Sequence, residues 1–230
     1  MSNTELWDSV DKAIFYSGFN SYYDYLETIV NFLLAEKEKH NQSIDEINQK
    51  IESGEIEISD DAGQMPPELE YDYYRLSSIS EFENTLFSSF FVTIYFYFES
   101  ELIRHCRKLE KESREKLSFS DIAGNGILAR AKTYLTKVQQ IDFSFENSPE
   151  WERIQNYTRL RNCIVHNQGR LDEGFENGQR DKLSKFIQKP DSKLLTENSW
   201  CILNKEFCLE ALDTIKIFLY SVTFAKQRVP

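Results

Sequence analysis

Apolar residues along this chain recur mostly at helical spacing, with few positions alternating as in a strand. Leu6, Val10, Ala13 and Ile14 mark a first helix over 4–17, which Gly18 and Asn20 are expected to break. Tyr22, Leu26, Ile29, Val30 and Leu33 then give a wide apolar stripe over 21–40. A weaker polar helix follows over 43–51. Residues 54–58 alternate like a short strand, but Ser53, Asp60, Asp61 and Gly63 make 52–66 read as a surface insertion. Pro66-Pro67-Glu68 opens a long helix to about Lys116. Its middle, Phe90 to Phe98, is rich in aromatic and β-branched residues and has strand propensity. Helical flanks and the lack of a bounding turn predict instead a central helix, packed on all sides. Ser118–Gly126 reads as a loop, and Ile127 to Val138 as an amphipathic helix. The run from 170 to 191 is polar and irregular. Leu194-Leu195 and Cys201-Ile202-Leu203, around a polar turn at Glu197-Asn198, predict a small hairpin. Asn204 caps a final helix to about Lys226, with Cys208, Ala211, Leu212, Ile215, Leu219 and Val222 inward.

The densest polar chemistry lies on one predicted helix, 148–169. Ser148 is placed to cap it, Pro149 suits its first position, and Glu150 and Glu152 suit the positive end of the dipole. Gly169 suits a left-handed stop. Tyr157, Leu160 and Ile164 share an apolar face, while Arg159, Asn162 and His166 share another. Arg161 falls at the edge of the apolar face, where a guanidinium needs a carboxylate, an interface or a route to water. Glu99 and Glu101 are the expected partners. In an unbroken helix Arg161 and His166 point to different sides. Both reach one substrate only if the last turn unwinds after Ile164, or if a second subunit brings its own copy.

Composition narrows the picture. The 40% apolar and 14% aromatic content of 230 residues suits a globular chain with an aromatic core. The net charge of −11 argues at first against nucleic acid. Yet residues 1–70 hold 16 acids against 4 bases, and 101–170 hold 9 acids against 13 bases. The acidity is N-terminal, and the Arg/His segment is mildly basic. The basic run from Arg104 to Lys116, His105 included, reads as a solvated helix face. Cys106, Cys163, Cys201 and Cys208 form no C-x-x-C pair and read as buried thiols in a reducing cytoplasm. No secretory signal opens the chain, and the Phe90–Phe98 run is far shorter than the roughly 20 residues of a membrane span. Three histidines without H-x-x-x-H give no metal motif, and no cofactor is expected. G-x-S-x-G is absent, and Gly124-Asn125-Gly126 is no phosphate loop.

Arg161-Asn162-Cys163-Ile164-Val165-His166, followed by Asn167 and Gly169, resembles the signature of HEPN-domain proteins, in particular prokaryotic HEPN ribonucleases. The resemblance covers about residue 70 to the C-terminus. It implies an all-α fold with an HEPN-like bundle over 66–230; the acidic helices and surface loop over 1–65 lie outside it. It further implies a metal-independent endoribonuclease, dimeric across the motif, with Arg161 and His166 as catalytic pair and Asn162 assisting. RNA is the implied substrate. A role as toxin or defence effector, with an antitoxin or defence-system partner, is implied in the same way. The competing expectation is a non-catalytic helical module that keeps the fold and binds a partner.

Overall fold

The computed structural model describes residues 3–56, 65–113, 115–141, 144–172 and 178–224. The fold is all-α. The helices are α1 (Asn3–Glu52), α2 (Pro67–Glu112), α3 (Ile127–Thr133), α4 (Pro149–Asn167), α5 (Gln179–Ile187) and α6 (Lys205–Thr223). The expected hairpin pairs β1 (Leu195–Glu197) with β2 (Trp200–Ile202), antiparallel, with Thr196 opposite Cys201. Its turn is Asn198-Ser199, both at positive φ, one residue beyond the expected Glu197-Asn198.

Two predictions are corrected. Gly18 and Asn20 do not end a helix, and α1 runs unbroken for 50 residues. Gly18 serves contact instead. A Cβ there would lie 2.5 Å from the Tyr97 hydroxyl of α2, so the missing side chain lets the two helices approach. The polar run 170–191 holds α5, with Leu183, Phe186 and Ile187 buried; the single apolar face of so short a helix is easily lost among polar neighbours. Of the insertion expected at 52–66, residues 57–64 lie outside the described residues.

The central helix packs largely as expected. Phe90, Phe91, Ile94, Tyr95 and Phe98 are buried. By length and composition alone α2 could cross a membrane, but those buried side chains are accounted for by the bundle core. Within the Phe90–Phe98 run Thr93 and Phe96 are exposed, Phe96 to 45%, so the run is not packed on all sides. α1 lies antiparallel along α2, with Lys37 on Glu83 at 2.5 Å and the buried His40 Nδ1 2.6 Å from Asp72 Oδ1. Phe15, Phe19, Leu26 and Leu33 of α1 enter the same core as α2, α4 and α6. Farther along, among the described residues, Ile44, Ile47 and Leu69 form a small second cluster with the partly buried Ile51, Ile56 and Leu76. Beyond about Leu33 the two helices thus have little but each other to pack on.

His105 also departs from expectation. It is largely buried, its Nε2 meets no partner among the described residues, and burial with nearby Lys108 and Arg104 lowers its pKa to about 4. The neighbouring Arg107, Lys108 and Lys111 are exposed.

Candidate functional site

α4 is positioned by contacts from several sides. Ser148 Oγ accepts from the Trp151 amide at 3.2 Å, and the Trp151 ring stacks on Phe218 of α6. Tyr95 Oη and Thr158 Oγ1 are 2.7 Å apart, joining α2 to α4. Arg153 pairs with Glu210 and, at 2.9 Å, with Asp191. The helix stops on two left-handed residues, Gln168 and Gly169, so Gln168 supplies the cap that Gly169 was expected to supply alone.

The helix stays intact through Asn167. Arg161 and His166 therefore diverge by about 140° on the wheel, and the last turn does not unwind to bring them together. Asn162 and His166 are exposed, one turn apart on one edge. Arg161 lies on the other edge, against α2. Its side chain is 19% exposed, and its Nη2 sits 3.9 Å from Glu99 Oε2. Glu99 is thus the acidic partner, while Glu101 pairs with Arg104. Burial raises the Glu99 pKa, and Arg161 only partly offsets this.

Arg161 is held but not saturated. One Nη1–H donates to Asn162 Oδ1 at 2.9 Å. The guanidinium lies over the Phe96 ring, 4.7 Å from its centroid. Its Nε is buried without an acceptor among the described residues. A guanidinium has five N–H donors, so this one keeps capacity for an anion. Arg159, by contrast, is committed: Nε donates to Gln179 of α5 and Nη1 to Asn156, both at 2.8 Å, and burial lowers its pKa.

Two features near the motif escaped the sequence. Phe96 reads as core from its run, yet it is the exposed ring beneath Arg161, and Val165, one turn on, is 44% exposed. The hairpin also docks on the segment leaving α4. The Leu171 amide donates to Ser199 O at 2.8 Å and the Cys201 amide to Gly169 O at 3.0 Å. That places Trp200 beside Arg170, whose guanidinium lies 5.8 Å from the indole centroid. Cys163 and Cys201 are buried beneath this junction, and burial raises their thiol pKa values to about 11 and about 12. All four cysteines are free and buried.

Among the described residues no group of three His, Cys, Asp or Glu side chains could hold a metal. No family model, curated protein or solved structure matches the chain.

Proposed function

We propose that this chain is a metal-independent endoribonuclease of HEPN type, acting as a homodimer whose two α4 helices line one groove. The observation that carries this reading is Arg161: held by Asn162, Phe96 and Glu99, with donor capacity left over, on the same two turns as an exposed histidine. The divergence of Arg161 and His166 within one chain makes the second copy necessary. Exposed Phe96 and Val165 beside Arg161 give that copy an apolar rim to cover.

The reaction forms a bond from the RNA 2′-oxygen to the adjacent phosphorus and breaks the bond to the 5′-oxygen. One proton leaves the 2′-hydroxyl and one reaches the departing 5′-oxygen. Two copies of His166 supply the base and the acid. Arg161 offers N–H groups to the phosphorane oxygens, where charge gathers in the transition state. Asn162 orients the guanidinium. A toxin or defence role, with a controlling partner, would place this activity in the cell.

One observation favours a second reading. Arg161 sits against Phe96 and Glu99 as a structural arginine would, which suits a non-catalytic interaction module. The test is cleavage of single-stranded RNA in EDTA. The expected products carry a 2′,3′-cyclic phosphate and a 5′-hydroxyl. His166→Ala should lower the rate by about 10² to 10⁴ with little change in melting temperature. Undiminished cleavage by that variant removes His166 from the chemistry.

A further inference from the structure

The far end of the α1–α2 hairpin carries a surface that the proposed nuclease does not use. Tyr25, Phe32 and Glu36 follow one stripe of α1, and Tyr71, Arg75 and Phe82 one stripe of α2, at spacings of four and seven residues. Between the stripes lies a groove of about 340 Å³, floored by Leu33 and Ile79 and flanked by Phe32 and Phe82. Those two phenyl rings are 55% and 49% exposed, and Tyr25 and Tyr71 are exposed as well. The Arg75 Nε is buried in the groove wall and meets no acceptor among the described residues. Exposed aromatics along a concave seam, with a buried donor left unpaired, mark a surface built to be covered.

Charge decides what covers it. Residues 25–56 and 65–83 hold 12 acidic side chains and 4 basic ones. Such an arm repels nucleic acid and anionic lipid, and it opposes an identical arm from a second copy. Its shape asks for a helix, since two antiparallel helices leave a groove that a third fills by ridge packing. From Tyr25 to the level of Tyr71 the seam is about 28 Å long, the length of a helix of about 19 residues. We propose that the seam seats an amphipathic helix of a partner protein, apolar toward Phe32 and Phe82 and cationic along its flanks. An oxygen acceptor on that helix would satisfy Arg75. This site lies on the hairpin arm and stands independently of the nuclease reading.

The test uses the full chain and a fluorescein-labelled peptide of about 19 residues. Leucines line one helical face of the peptide and lysines fill the other. A control peptide has the same composition with its leucines scattered. Anisotropy in about 0.15 M salt should show saturable one-to-one binding of the amphipathic peptide, about tenfold or more tighter than the control. Circular dichroism should show the peptide gaining helix. Phe32→Asp with Phe82→Asp should weaken binding by about tenfold or more, although both changes add negative charge. Both rings are exposed, so the variant should keep its melting temperature; if it does not, Phe82→Asp alone carries the comparison. Equal binding of the two peptides, or undiminished binding to the substituted chain, overturns the proposal. So does a concentration-dependent dimer, seen by sedimentation, that the same substitutions dissolve, because the seam then belongs to a second copy.

Discussion

Arg161 is the residue on which structure and chemistry compete. Removing it leaves the half-buried Glu99 without its cation, so Arg161→Ala should cost about 1–3 kcal/mol of stability and, on the proposed nuclease reading, activity as well. Arg161→Lys separates the two effects. The lysine keeps the charge near Glu99 but loses the planar fork. It should melt near the parent temperature and cleave RNA about 10- to 100-fold more slowly. A lysine variant as fast as the parent would leave the fork without a role. His105 supports a prediction about pH. Its folded-state pKa is lowered to about 4, so it stays neutral in the bundle. Above its unfolded value of about 6.5 both states are neutral and stability is full. As pH falls toward 4 the unfolded chain takes up a proton that the folded chain resists, and stability declines by on the order of 3 kcal/mol. Urea titrations of the parent and His105→Leu at several pH values should diverge over that window. Parallel curves would mean that the imidazole gains a proton without penalty.

At the scale of elements, the contact of α1 with α2 depends on Gly18. Alanine in a helix interior normally stabilises by about 1 kcal/mol over glycine. Here the added Cβ meets the Tyr97 hydroxyl at 2.5 Å and ring carbon Cζ at 3.5 Å. The ring cannot easily move, because it packs on Phe19 and Tyr22 at centroid distances of 5.4 and 5.0 Å. Gly18→Ala should therefore destabilise the parent. In a Tyr97→Phe background, which lacks the clashing oxygen, it should stabilise by up to about 1 kcal/mol. Thermal unfolding of the four proteins measures the change of sign. The same sign in both backgrounds would mean that the helices separate without cost.

Over the whole molecule, the two faces proposed for partners differ in character. The α2–α4 face joins Phe96 and Val165 to the Arg161 site, while the hairpin arm is acidic and aromatic. The acidic α1 packs on α2 and α6 and shares their core. Deleting it would uncover the α2 side chains it packs on, Phe90 and Tyr97 among them, so point substitution is the better probe of its role. A dimer through the α4 face predicts a chain that sediments as a dimer at micromolar concentration. Val165→Lys should give a folded monomer that has lost cleavage by at least about 10²-fold, although His166, Arg161 and the Phe96 ring beneath it are unchanged. A monomeric variant that still cuts at the parent rate would show that one chain suffices.

Much of this architecture follows from local signals. Ser148, Asn204 and the Pro66-Pro67 start give helix boundaries because a cap acts on its own next turn. The aromatic run of α2 reads as core because its flanks leave it no turn. The acidic partner of Arg161 was narrowed to Glu99 or Glu101 because an arginine at an apolar margin must find charge nearby. The rest depends on neighbours distant in sequence. Gly18 looks like a helix breaker until Tyr97 stands across from it, for propensity is worth about 1 kcal/mol and packing outweighs it. Phe96 looks like core until it proves to be the one ring of its run under a guanidinium. His105 looks like surface until the fold sets it in a small pocket shared with Phe15 and Phe224, which lie far from it in sequence. The motif residues were legible as types at a spacing. Their division between two edges follows from the sequence only if α4 is unbroken, and continuity through Asn167 depends on what holds the last turn: the thiol of Cys163 on Arg170 O, and the hairpin docked beyond it.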